Sequence, residues 1–529
     1  MKTKEFNLSK TQKTLIITLF LMIFSFPVFY KLNKIPLLRW DESLYAQCAY
    51  ELAHTGKSLQ KWDNYFFTDE PLYVSKPPMV IWLQAGFMKL LGYDSLLAVR
   101  LHSAIAALLT LILLVYFSWS EFRNILWGLF SGFVLITTHG YLYFHIVRSG
   151  DMDGLLIFFT TMMVLFFYKY VRYFDNKKER NRNLAVVTFA LIGGVLTKTA
   201  AAFFFLPGLF IYAIYKKRLA GILRLRSTYI AIASFFMVIG GYYFIKNISD
   251  PGIVQHLWEH DLGGRFFTTI HWANHPWYFY IKYLFSSAHS PWIFFMPLSI
   301  LLFFLIKDKE IKEFFVFSFI CIISYFIIIS SANTKITWYM AQIYPLSALI
   351  AGISIYFLFI ELYKAIDSNK FYIKIAYLLS FVLAIFLVTY YHRVKEIKNF
   401  VQTDTVHMGE TYDIYEDCLA KMRDSENSIK TFTVYHELSD SLMSWNPQLI
   451  FYRKLYNEIY GFNIGISYVP DVFKKGDVVL SNKNSAKDVL EKYYDYDVIL
   501  TGRDSEFLKI EGTKNDDEES ENSIVSTSN

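Results

Sequence analysis

The sequence predicts a mainly α-helical, polytopic membrane protein of about eleven transmembrane helices. It also predicts interfacial helices in the first outer loop and a small C-terminal α/β domain. Three observations carry this. The 529 residues are 54% hydrophobic and 19% aromatic, with 50 Phe and 39 Tyr, a load that a soluble globular chain does not carry along most of its length. Apolar runs of spanning length recur from residue 14 to residue 391. Basic residues collect in alternate connecting loops.

The first run, 14–32, follows Lys2, Lys4, Lys10 and Lys13 as a signal peptide would. It has no small-residue cleavage site after Tyr30, so it reads as a retained anchor. Further runs lie near 97–118, 125–144, 154–171, 184–197, 200–215, 228–246, 291–306, 313–331, 336–360 and 371–391, with 184–197 the shortest. With the N-terminus cytoplasmic, the loops on that side contain Arg123, Lys177 to Arg182, Lys216-Lys217-Arg218 with Arg224 and Arg226, Lys307 with Lys309 and Lys312, and Lys364 with Lys370. Every basic cluster falls on one side, as the positive-inside rule demands. The net charge of +6 is thereby explained by topology, with no nucleic-acid partner. Cys48, Cys321 and Cys418 have no metal or disulfide spacing and read as structural.

The outer face then receives the loop 33–96, Arg148–Asp153, a tight turn at Lys198, the loop 247–290, a turn at Asn333-Thr334-Lys335, and everything from 392 onward. Most unusual polar residues of the membrane part lie there. Asp41-Glu42 opens a helix over 41–54, with Leu44, Cys48 and Leu52 on one stripe beside Tyr45, Ala49 and Ala53. The stripe suits a helix lying in the membrane interface. Asp41 can be a plain helix cap or a functional acid, since carboxylates are costly beside hydrocarbon. Lys76-Pro77-Pro78 holds a lysine at the start of the next helix, as a snorkelling side chain or as a phosphate-binding cation. Beyond 392, strands are expected at Thr431–Tyr435, Asp477–Ser481, Val498–Thr501 and Phe507–Ile510, with a helix at Ser485–Tyr493. The expected domains are 1–391 (transmembrane), 392–511 (outer α/β) and 512–529 (a disordered acidic tail).

Asp41-Glu42-x-x-Tyr45-Ala46, Lys76-Pro77-Pro78, Arg100-Leu101, and Arg148-Ser149-Gly150-Asp151-Met152-Asp153-Gly154 follow one another in this order. After them come the Lys198 turn, His260 through Arg265-Phe266, His275-Pro276-Trp277-Tyr278 and Lys335-x-x-Trp338-Tyr339. Over roughly residues 14–390 this series resembles the protein O-mannosyltransferase-like branch of the GT-C membrane glycosyltransferases, and is similar to bacterial enzymes of the lipid A aminoarabinose transferase kind. The resemblance implies transfer of a sugar from a polyprenyl-phosphate-linked donor to an extracytoplasmic lipid, glycan or protein acceptor, in a bacterial cell membrane. It implies Asp41 as chief catalytic carboxylate, with Glu42 beside it, and Asp153 as second acid, although an Asp at a helix entrance can be a plain cap and Asp151 competes for the role. Tyr73, Lys76, Arg265, Tyr339 and Lys335 would surround the donor phosphate. His260 would correspond to a metal-contacting histidine, but Ser75 stands where an acidic residue is expected, with Glu70 and Glu259 as substitutes. No cofactor is required, and a divalent ion is allowed. A transporter or flippase of polyprenyl-linked sugars is the alternative, although neither internal repeats nor mid-membrane helix breaks occur in the sequence.

Overall fold

The computed structural model describes residues 9–34, 36–38, 41–57, 61–62, 72–73, 76–142, 145–258, 273–285, 291–366, 371–403, 415–426, 428–437 and 447–514. Each apolar run of the sequence forms a helix. Six are long and apolar enough to cross a membrane: Leu96–Phe122, Asp153–Arg172, Lys177–Phe203, Arg226–Ser249, Lys309–Ser331 and Thr337–Lys364. Shorter apolar helices lie at Thr14–Phe29, Pro78–Leu91, Ile125–Thr137, Leu206–Tyr215 and Trp292–Leu305. The chain is a multi-pass membrane protein. The run expected at 184–197 is the end of a longer helix, Lys177–Lys198, because Asn176 caps it well upstream through the amides of Lys178 and Glu179.

Two compact units divide the chain. The first is Met1–Leu32, Tyr73–Phe87 and Leu97–Asp404; the second is Asn33–Leu72, Met88–Leu96 and Thr405–Asn529. Described stretches of the first outer loop thus group with the C-terminal residues, whereas the sequence suggested boundaries at 391 and 511.

In the first unit, the stretch from Met340 to Phe357 is buried throughout and lies at the centre, while Arg226–Ser249 buries only Thr228 and lies at the periphery. Aromatic side chains fill the space between helices, with Phe314 contacting Trp127, Phe117 and Tyr168 at ring distances of 5.6, 5.2 and 5.3 Å. Small residues let backbones close up: a Cβ on Gly352 would stand 2.7 Å from Ser131 N, and one on Gly128 2.6 Å from Val115 Cα. At one end of this unit Glu121 takes Lys169 at 2.7 Å, Arg172 reaches Glu310 at 2.7 Å, and Lys216 reaches Glu313 at 2.9 Å.

The second unit holds a five-stranded sheet in the order Asn463–Ser467, Thr431–Tyr435, Val478–Asn482, Ser505–Thr513, Tyr494–Thr501. The first three strands are parallel and the last two pair antiparallel. Four strands fall where the alternation placed them. The strand Asn463–Ser467 and the helices Glu416–Asp424 and Pro447–Tyr460 are additional. The Ser505–Thr513 strand runs past the expected start of the tail at 512, and 515–529 lie outside the described residues. All three cysteines are buried and none is in a disulfide.

Candidate active site

The expected site residues fall in both units. In the first, Lys76 is half-buried, two residues before the helix Pro78–Leu91, whose first residue is the second proline. A proline there costs nothing, because the first helical amides have no intrahelical acceptor. Buried Gln84 of this helix donates to the carbonyls of Val99 and Gly150 at 2.9 Å each.

The Arg148–Gly154 segment is buried throughout. Arg148 does not face a ligand: its guanidinium donates to the carbonyls of Pro27 (2.7 Å), Val28 (3.1 Å) and Tyr30 (2.8 Å). It thus satisfies carbonyls that the end of the first helix leaves without intrahelical partners. Arg100 does the same for Leu32 at 2.9 Å. His102 Nε2 and Ser103 Oγ lie 3.0 and 3.2 Å from the Asp151 carbonyl. Gly154 is required by close approach, since a Cβ there would lie 2.6 Å from the Ile146 carbonyl oxygen.

Asp153 opens the Asp153–Arg172 helix and is 5% exposed. Both its oxygens accept from Lys198 Nζ, at 2.8 and 2.7 Å. Lys198 ends its own helix and is followed by Thr199 at φ 25°, so the tight turn stands where the sequence placed it. The same ammonium lies 5.3 Å from the ring centre of Tyr339, within cation–π range. Tyr339 is held in turn by the Tyr325 hydroxyl, which donates to its carbonyl at 2.5 Å. Lys335 is buried and donates to Ala332 O at 2.7 Å, closing its own turn; burial lowers its pKa. The structure thus joins Asp153, Lys198 and Tyr339, and places the Lys335 amine on the backbone.

His145 was not legible as a site residue. Its backbone is left-handed at φ 63°, its ring stacks on Trp338 at 3.8 Å, and its Nδ1 is 3.0 Å from Asp151 Oδ2. The only signals were its place three residues before Arg148 and the tryptophan of the Lys335-x-x-Trp338 turn. His145 and Asp151 belong to a small acidic–histidine group that could hold a metal ion. One imidazole nitrogen and one carboxylate oxygen suit zinc or a similar ion chemically but fill only part of its coordination.

In the second unit, Asp41 is the first residue of the helix Asp41–Thr55. It is therefore a first-turn acid at the positive end of the helix dipole rather than a residue flanking the helix. Glu42 through Tyr50 are all buried, so burial runs round the helix and not along a single stripe. Other segments of the fold cover the polar side, including Ser43 and Gln47. Glu42, 1% exposed, accepts from the Leu38 amide at 2.8 Å. Tyr73, which belongs to the first unit, lies on the short strand Leu72–Tyr73. Arg265 and His260 lie outside the described residues, with Glu70, Ser75 and Glu259.

In fold the chain is similar to solved membrane transferase structures. Within it, residues 75–243 match the family model described as dolichyl-phosphate-mannose-protein mannosyltransferase. Among solved structures, ArnT from Cupriavidus metallidurans bound to undecaprenyl phosphate is similar at 13% identity. That match covers 94% of this chain and 98% of that one, with a TM-score of 0.64. The apo oligosaccharyltransferase of Archaeoglobus fulgidus is similar at 12% identity, covering 92% and 73%, with a TM-score of 0.53. No curated protein matches in sequence.

Proposed function

We propose that the chain is an integral membrane glycosyltransferase that transfers a sugar from a polyprenyl-phosphate-linked donor to an extracytoplasmic acceptor: a lipid, a glycan or a protein. The observation that carries this reading is the nearly full-length likeness to ArnT, whose structure holds undecaprenyl phosphate. On this reading the helices make eleven crossings of a bacterial cell membrane. The N-terminus is cytoplasmic, and the site and the C-terminal domain are extracytoplasmic. Residues 1–391 supply the transferase core and 392–511 the outer domain.

In the proposed reaction an acceptor oxygen attacks the anomeric carbon opposite the phosphate. The bond from that carbon to the phosphate oxygen breaks, and its electron pair leaves with the phosphate. Asp41 takes the acceptor proton where the acceptor is a hydroxyl, and orients an acceptor phosphate that carries none. Lys76 and Arg265, with Tyr73 and Tyr339, meet the charge that grows on the leaving phosphate. Asp153, neutralised by Lys198, holds the turn against which Tyr339 rests. A divalent ion held by His145 and Asp151 would add positive charge.

The test is turnover of a polyprenyl-phosphate sugar by purified protein, with mass spectrometry of lipids, glycans and proteins from cells with and without the chain. Asp41→Asn keeps the shape of the side chain but removes its charge and basicity, and should lower transfer by roughly 10²–10⁴. Wild-type turnover by a folded Asp41→Asn protein would overturn the mechanism.

A further inference from the structure

The helix that begins at Asp41 is short, and helices of its length are marginal in isolation. Its direction must come from what it packs on. Within the second unit that is the helix Pro447–Tyr460 of the C-terminal domain. Two contacts hold the entry to Asp41. Gln448, 1% exposed, donates its side-chain amide to the Leu37 carbonyl, and the next residue, Leu38, gives its amide to Glu42. Two more hold the helix axis. The Tyr50 hydroxyl donates to Glu458 at 2.7 Å, and Lys454, one turn earlier on the same partner helix, pairs with Glu51. Burial, then the Glu458 carboxylate, raises the Tyr50 pKa, so this hydroxyl stays a donor across the working range. The ring of Tyr50 also packs edge-on against Phe451 and Tyr93, at 6.2 and 5.7 Å.

Tyr93 belongs to a second stretch of the outer loop that is tied to the same domain. Beside it, Asp94 accepts from Tyr460 at 2.6 Å and pairs with Arg423 at 3.3 Å. The partner helix is itself locked to the sheet, because Asn457 Oδ1 accepts from the amide of Ile464, the second residue of the Asn463–Ser467 strand.

We infer that the C-terminal sheet domain is a positioning part of the transfer reaction. Gln448, Tyr50 and Glu458 are positioning residues that set the backbone entry and the axis of the helix carrying Asp41. This rests on the assignment of Asp41 as the reacting carboxylate. Glu42 acts with them: its carboxylate is engaged by backbone and serves to place its neighbour. A base displaced by a fraction of an ångström loses rate at the chemical step while donor binding is untouched. The signature is therefore a fall in kcat with KM for the donor preserved.

The experiment uses the full-length protein in lipid nanodiscs with a polyprenyl-phosphate sugar as donor. Gln448→Leu and Tyr50→Phe each remove a donor while keeping shape. Each should lower kcat on the order of 10- to 10²-fold. The donor KM should stay within about twofold, since only the chemical step is touched. Amide exchange over residues 41–50 should rise several-fold, with exchange in Asp153–Arg172 unchanged. Glu458→Leu removes the acceptor of the Tyr50 hydroxyl and should lower kcat and protection as Tyr50→Phe does. Transfer that Asp41→Asn abolishes but Gln448→Leu and Tyr50→Phe leave intact overturns the positioning role alone. So does a rise in donor KM with kcat intact, or unchanged exchange over residues 41–50. A wild-type protein with no transfer removes the role of Asp41 and the proposal with it.

Discussion

Asp153 and Lys198 stand 45 positions apart in the chain and meet at 2.7 Å with the carboxylate almost wholly buried. A buried pair is weak evidence of net stabilisation, but breaking it is costly, because the remaining charge has no water to return to. Lys198→Met should therefore destabilise the protein by about 3–5 kcal/mol. The double variant with Asp153→Asn should recover much of that loss, as read by thermal unfolding in detergent. Equal losses in the single and double variants would mean that the pair is not what holds the turn. Arg148 is a comparable case: its charge sits on three carbonyls at a helix end, although a motif arginine beside two acids invites a catalytic reading. His145 and Asp151 bear on metal dependence. They supply one nitrogen and one oxygen ligand, only part of an ion's coordination, so we expect that a chelator leaves most transfer activity intact. Complete loss, restored by a divalent ion, would contradict this.

Among the helices, close approach is set by glycine and serine. The helix Ile125–Thr137 lies so near Tyr344–Ala365 that a Cβ on Gly352 would meet Ser131 N at 2.7 Å and Cα at 2.8 Å. Backbone atoms cannot swing aside as a flexible side chain does, so the helices would have to part. Trp127 Nε1, which donates to Leu349 O at 2.8 Å across the same contact, would be pulled with them. Gly352→Ala should cost about 1–3 kcal/mol. Gly240, in the peripheral helix Arg226–Ser249, has nothing within 4 Å of its would-be Cβ. Gly240→Ala should raise stability by up to about 1 kcal/mol through helix propensity alone. Thermal midpoints that move in the same direction for both variants would refute the packing argument.

Across the whole molecule, the expected one-sided loop charge is open to a direct test. Glu121, Lys169, Arg172 and Glu310 gather at one end of the helical unit, joining helix ends that the topology assigns to one side. A reporter fused beside Lys178 should read cytoplasmic, and one at the C-terminus external. Both on the same side would mean that the number of crossings is even rather than odd.

Helix positions and strand alternation were legible because hydropathy and period are local quantities that survive in one dimension. The Lys198 turn and the Asp41 helix start were legible for the same reason: each is a break in a pattern. What only the tertiary structure decided is which residues share a partner. Asp153 meets Lys198, Arg148 closes the first helix, and Gln448 reaches back to Leu37 across 411 positions. No spacing announces such contacts, because side-chain hydrogen bonds between distant segments are set by packing, and packing is a property of the assembled chain.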